Sequence, residues 1–343
     1  MKDKSDFLGE WLDINKIPYK KNYEIKYYSW IKAGGVIKNY ITPETIDQCV
    51  KIIKFFKINN MKFYIFGNQS NLIVRDGDII TPIINLSKMN KISFEEDENG
   101  VTIICDSGVS IPRFSKNIIK KGFTGTEGLI GIPGSIGGGV CMNASSYGNE
   151  LCTYLKSVRV IDNNGNLQDL NKAELFLKWR GSIFKENKFL IIYAKFFISK
   201  KMYIGEELTK KKSLKISEQR KIYQENDLPN IGSIFATKNI YKDLSKKNFT
   251  FLVVYFIYKI LSVYYFNFNS TKLEIFRKNF VKIYLKLLKL DKYEKFSSSS
   301  KTLNCLVNKG SNSSTEAINF LKQFKKESKN CLNFENIILH KID

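Results

Sequence analysis

The sequence predicts an α+β protein on three observations. A helix-period segment begins near residue 46, short β-branched and aromatic runs recur from residue 62 to residue 198, and long basic stretches with helical spacing take over beyond residue 205. The first helix is announced by Thr42, Pro43 and Glu44, since proline fits a first turn where its missing N–H is not needed. Ile46, Cys49, Val50, Ile53 and Phe56 then form its apolar stripe. The strands expected next are KFYIF (62–66), NLIVRD (71–76), VTIIC (101–105), SVRVID (157–162) and FLIIYAKFFI (189–198), several bounded by Gly, Asn or Asp.

Beyond them EELTKKKSLKISEQRKIYQ (206–224) reads as a basic helix, and SSTEAINFLKQFKKESKN opens with Ser313 and Glu316 at capping-box spacing. Between these lies NFTFLVVYFIYKILSVYYFNFN (248–269), in which residues 249–266 carry a single charge, Lys259. Length alone would allow a membrane span there. The lysine in mid-run and the basic amphipathic pattern that follows favour a buried helix or strand pair, so no membrane partner is expected.

Composition narrows the function. With 343 residues, 43% hydrophobic and 26% charged, the chain can bury substantial cores in two or three domains. Six cysteines without a Cys-x-x-Cys pair and a single histidine leave little for a zinc site or a disulfide framework, so no metal is expected and the thiols read as reduced. The N-terminal stretch has no apolar run of signal-peptide length, and a cytoplasmic protein is expected. The formal charge of +22 is spread along the whole chain. It is therefore read as attraction for a small anionic substrate rather than as a nucleic-acid surface.

GTEGLIGIPGSIGGGVCMNASSYGNE (125–150) holds eight glycines and no lysine. Such a cluster marks a main chain that turns sharply or approaches something closely. A P-loop needs a Gly-Lys-Ser or Gly-Lys-Thr ending and a dinucleotide turn needs Gly-x-Gly-x-x-Gly; neither spacing is present. A nest of unblocked N–H groups for a pyrophosphate or another anion, without the usual helix dipole, remains beside the plainer reading of a tight turn cluster.

This stretch resembles the most diagnostic segment of the UDP-N-acetylenolpyruvoylglucosamine reductase (MurB) family, where it lines the FAD pyrophosphate. SWIKAGG (29–35), FGNQSNLIVRDG (66–77), WRGSIF (179–184), PNIGSIF (229–235), SSKTLNCLVN (299–308) and LNFEN (332–336) accompany it in the family's order. The resemblance implies a two-subdomain FAD-binding fold of the vanillyl-alcohol oxidase (PCMH-type) superfamily. Subdomain 1 is then residues 1–90 and subdomain 2 residues 91–204, with the PCMH-type region at about 30–200. A C-terminal α+β substrate-binding domain follows at 205–343, its tail returning to the active site.

It further implies FAD as bound cofactor, NADPH as reductant and a UDP-sugar as substrate, in a monomer. Arg180, Ser233 and Glu335 are the implied catalytic residues: a guanidinium for the substrate carboxylate, a proton donor to the α-carbon, and a carboxyl that helps hold the enolate-like intermediate. Gly67, Asn68, Ser70 and Asn71 form one implied FAD wall, and Gly131, Ile132, Pro133, Gly134, Ser135, Gly137, Gly138 and Asn143 the other, with Gly148 and Glu150 completing it. Arg220 and Trp179 are implied substrate contacts.

The chain departs from the family pattern at several points. Tyr223, Gln224 and Glu225 replace a Lys-Gln-Pro triplet, Ala236 to Asn239 replace a Lys-Asn-Pro turn, and Thr302 replaces a histidine. Residues 240–296 lack the family's glycine-bearing helix and Gly-Gly turn. Another flavin oxidoreductase of this fold, and a flavin-binding protein without turnover, are the competing readings.

Overall fold

The computed structural model describes residues 4–186, 189–266, 270–329, 331–335 and 337–339. The start of the N-terminal stretch, the last three residues of the 248–269 run and Asn336 of LNFEN lie outside the described residues.

Helix α1 (Lys4–Ile14) leads into β1 (Tyr19–Glu24) and β2 (Val36–Ile41), and α2 (Ile46–Ile58) carries the chain over to β3 (Tyr64–Phe66), β4 (Leu72–Val74), β5 (Asp78–Ile79) and β6 (Ile83–Asn85). The sheet runs β1-β2-β6-β3 with β5 also on β2; β1 is antiparallel to β2 and the other pairs are parallel. Parallel neighbours need a crossover, and α2 supplies it, burying Cys49, Ile52, Ile53, Phe55 and Phe56. Its start differs from the expected one. Thr45 is the N-cap, accepting from the Gln48 N–H, while Thr42 is buried and donates to the Pro18 carbonyl at 3.4 Å. A threonine tied to the preceding strand cannot also cap the helix.

The second unit comprises β7 (Ile92–Glu96), β8 (Gly100–Asp106), α3 (Ile111–Lys120), α4 (Ile136–Cys141), the short hairpin β9 (Ser145–Ser146) and β10 (Asn149–Glu150), then β11 (Leu155–Asp162), β12 (Leu167–Asn171) and β13 (Phe189–Ser199). Its sheet is antiparallel throughout, in the order β12-β11-β13-β8-β7. The nearly unbroken apolar run of β13 has a simple cause, since it is covered on both faces. Leu190 and Ile192 join the core of the first unit, while Ile191, Ala194 and Phe196 join the second.

The third unit begins with α5 (Glu206–Tyr223) and β14 (Asn230–Ser233). It continues through α6 (Ile240–Leu244), α7 (Phe249–Phe266), α8 (Ser270–Leu287), β15 (Phe296–Ser298), β16 (Cys305–Asn308) and α9 (Thr315–Glu327). Its antiparallel sheet is β14-β16-β15. Among the described residues, 240–296 thus fold as three helices leading to the start of β15, and Phe280, Tyr284 and Phe296 pack with Phe235, Phe320 and Phe324 in one core. The last strand, β17 (Ile337–Leu339), leaves this unit and pairs in parallel with β4 of the first.

Two expectations are corrected here. The run at 249–266 is not a fully buried element: Phe251 is in the core, but Phe249, Phe256, Ile260 and Val263 on the opposite face are exposed. The expected capping box at Ser313 does not form. Ser314 is the N-cap, and Asp76 from the first unit accepts from the Ser314 N–H at 2.8 Å and the Thr315 N–H at 3.0 Å. Glu316 instead accepts from the Lys295 N–H at 2.9 Å. A fixed carboxylate at a helix N-terminus does the work of two serine-type caps. Burial alone would push the Asp76 carboxyl up, yet the bonds from Ser313, Thr315 and Ser314 hold it below the usual range.

Candidate functional site

The turn after β3 is held from behind. Asn85 at the end of β6 donates from Nδ2 to the carbonyls of Phe66 at 2.9 Å and Gly67 at 2.8 Å. Gln69 takes a left-handed conformation at φ +56° and donates to the Tyr40 hydroxyl at 2.8 Å, under a stack of Tyr40 on Tyr23 with centroids 4.0 Å apart. Facing the turn is the glycine loop, which runs through Ile132 and Pro133 into α4, where Ser135 caps the helix by accepting from the Gly138 N–H at 3.3 Å. A Cβ placed on Gly67 would stand 2.9 Å from Ser135 Oγ and 3.8 Å from Gly138 Cα. A side chain at Gly67 would press on the hydroxyl that caps α4, so the β3 turn and the glycine loop meet through Ser135.

The loop is not the open nest of N–H groups that the sequence suggested. The N–H groups of Ile132, Gly134, Ile136 and Gly137 donate to the carbonyls of Leu129, Ile132, Val109 and Ser107. Buried main-chain donors must be paired, and these are paired within the protein. What the walls do leave is buried acceptors: Asn143 Oδ1 and Gln69 Oε1 have no partner. Such acceptors fit the N–H and O–H groups of a flavin ring and its ribityl chain.

The second cluster forms where three distant segments meet. Lys178 and Gly181 pair main chain to main chain, at 3.0 and 3.1 Å, and place Arg180 at the corner of a tight turn with φ +56°. Its Nε lies 3.2 Å from Glu335 Oε1, with side-chain exposures of 18% and 13%. The N–H is not aligned for a hydrogen bond, so this is an electrostatic contact. Glu335 is placed by its main chain, which donates to the Ile234 carbonyl at 2.9 Å and accepts from Asn71 Nδ2 at 3.3 Å. Ile234 follows Ser233, the last residue of β14. Arg180, Glu335 and the end of the strand that carries Ser233 thus meet near Asn71 of the β3 turn.

Burial pushes the Glu335 carboxyl up, and the nearby charges of Arg180 and Lys185 pull against that shift without cancelling it. Trp179 is half exposed, under the Arg180 guanidinium at 5.1 Å and Lys238 at 5.9 Å. Two cations thus flank the Trp179 ring beside Glu335, as an anionic substrate would need.

Arg220 sits elsewhere. It is 9% exposed, its Nη1 donates to the Gly131 carbonyl at 3.0 Å and to Gln224 Oε1 at 2.8 Å, and its Nη2 donates to the Gly128 carbonyl and to Ser146 Oγ, both at 2.6 Å. These bonds make it a brace that ties α5 to the glycine loop. A Cβ on Gly131 would overlap the guanidinium. Tyr223, in place of the family's lysine, stacks on Arg277 at 4.0 Å. Glu225, in place of the proline, accepts from Ser299 Oγ at 2.6 Å and from the Asp227 N–H at 2.9 Å, so hydrogen bonds replace a rigid ring.

Sequence reasoning missed Asn85 and Asp76, which hold the site without forming it, and Gln69, which braces the β3 turn and also offers a buried acceptor. Gln69 lay inside a recognised turn and its tyrosine partners did not. Asn85 and Asp76 act across tertiary contacts that leave no local pattern.

A family model described as an FAD binding domain matches residues 37–171. The UDP-N-acetylenolpyruvoylglucosamine reductase of Clostridium novyi (strain NT) is 34% identical over 222 residues, 65% of this chain and 70% of the relative. That of Clostridium tetani (strain Massachusetts / E88) is 34% identical over 232 residues, 67% and 73% of the two chains. The crystal structure of UDP-N-acetylenolpyruvylglucosamine reductase (MurB) from Thermus caldophilus superposes with a TM-score of 0.65 at 18% identity, covering 94% of this chain and 99% of that one. At that identity the likeness speaks for the fold.

Proposed function

The chain belongs to the UDP-N-acetylenolpyruvoylglucosamine reductase family, and from that premise we propose that it reduces UDP-N-acetyl-enolpyruvylglucosamine to UDP-N-acetylmuramate with FAD and NADPH. The observation that carries the reading is the meeting of Arg180, Glu335 and the Ser233 strand, through the 3.2 Å ion pair and the 2.9 Å bond from Glu335 to Ile234.

When bound, FAD would supply the two-electron hydride chemistry between NADPH and the enolpyruvyl double bond. Gly67, Asn68, Ser70 and Asn71 on one side and Gly131 to Gly138 with Asn143 on the other would hold it. The protein's own groups then manage charge and proton. Charge that develops on the substrate carboxylate meets the Arg180 guanidinium, whose planar fork matches two oxygens. Glu335, biased toward its protonated form, shares that carboxylate without repelling it. Ser233 gives its hydroxyl proton to the α-carbon, which completes addition of hydride and proton across the double bond. Lys238 and Trp179 line the approach. The three units at residues 1–90, 91–204 and 205–343 act as two cofactor-binding subdomains and a substrate-binding domain.

Anaerobic half-reactions test this. The yellow holoprotein should bleach with NADPH and recolour with the UDP-enolpyruvyl sugar. Ser233→Ala should bleach normally and recolour about 10²-fold or more slowly. Recolouring by oxygen alone would assign a flavin oxidase, and bleaching without recolouring would remove the substrate.

A further inference from the structure

We propose that the outer face of the α7–α8 pair is a peripheral docking surface for anionic lipid bilayers. It goes beyond the catalytic reading and does not rest on it. Helix α7 is apolar on two opposite sides. One side, with Phe251, Val254, Tyr258 and Leu261, packs into the core of the third unit. The other carries Phe249, Val253, Phe256, Ile260 and Val263, whose alternating spacing of four and three residues places them in one row. Phe249 is 77% exposed, Ile260 70% and Val263 67%. A helix apolar all round is normally enclosed, and a contiguous apolar row in water marks a surface that something covers.

Charge selects the occupant. On α8, Lys278, Lys282 and Lys286 are all exposed and recur every fourth residue, beside the exposed Ile275 and Ile283. Isoleucines and lysines thus share the solvent side of a helix whose other side meets α7 through the contacts of Tyr258 with Phe276 and Phe280. A second copy of the chain would bring two such lysine rows, on molecules of formal charge +22, against each other. An anionic lipid surface takes the apolar row into the boundary of headgroups and acyl chains and the lysines onto its phosphates. Among the described residues no helix is long and apolar enough to cross a membrane, so α7 would lie along the surface.

Flotation of the full-length, flavin-loaded protein with vesicles is the test. Phosphatidylglycerol–phosphatidylcholine vesicles should carry the protein, pure phosphatidylcholine vesicles should not, and rising salt should release it. Ile260→Glu should reduce partitioning at least about tenfold. Joint replacement of Lys278, Lys282 and Lys286 by Gln should reduce it on the order of a hundredfold. Flavin content and bleaching by NADPH should be unchanged in both variants, which separates lost docking from lost folding. Absence of the protein from anionic vesicles, or equal partitioning of the variants, would overturn the proposal. So would a dimer in sedimentation that Ile260→Glu dissolves while vesicles bind nothing, which would give the face to a second copy.

Discussion

Arg180 adopts a left-handed conformation that is uncommon for any residue but glycine, and asparagine to a lesser degree. The cost is sustained by the paired main chains of Lys178 and Gly181 and places the guanidinium beside Glu335. Glu335 itself makes a prediction with a definite sign. Burial raises its carboxyl more than Arg180 and Lys185 lower it, so the folded chain keeps this proton where the unfolded chain has released it. The resulting stability is complete below the ordinary glutamate value and is lost as pH rises through the folded value. Glu335→Gln removes that loss. Relative to the parent protein, the variant should gain stability in denaturant melts as pH rises above the ordinary glutamate value of about 4.3. Parallel profiles would mean that the carboxyl ionises as it does in water.

At the scale of elements, α5 and the glycine loop are joined by one buried arginine. Gly131→Ala would drive a methyl group into the Arg220 guanidinium. The expected cost is about 1–3 kcal/mol, with reduced flavin content, because the neighbour is pinned by four hydrogen bonds and cannot yield. In the double variant with Arg220→Ala the costs should fall short of their sum, since the clash is gone; strict additivity in melts would show that the two residues do not couple. The elements themselves were well marked in sequence. The α2 stripe, the β8, β11 and β13 runs and the extent of α5 follow from periodicity, whereas β1 and β2 were not expected. Their alternation is interrupted by Lys and Asn, and their pairing with each other and with β6 decides the matter.

At the scale of the molecule, β17 matters more than its length suggests. Through its parallel pairing with β4 it returns the chain from the third unit to the strand that follows the β3 turn. That pairing fixes Glu335, just upstream, near Asn71. A chain ending at residue 336 should retain flavin and its reduction by NADPH but lose about 10²-fold or more in the substrate half-reaction, as expected when a reacting group is displaced by about 1 Å. Undiminished turnover of the shortened chain would show that the third unit holds Glu335 alone. Asp76 makes the reciprocal link, reaching from the first unit to the start of α9.

The α+β class, most helices and strands, the membership of a flavoenzyme family and the identity of the residues proposed for chemistry are all legible in the amino-acid sequence. Those properties are written in periodicity, glycine placement and ordered short motifs, all of them local. Tertiary packing was needed to see that most donors of the glycine loop are paired within the protein, that Arg220 is a brace, that Asp76 rather than Ser313 caps α9, and that one face of α7 meets solvent. Each depends on what a distant segment presents to a residue, and a pairing energy of that kind leaves no trace in the spacing of neighbours along the chain.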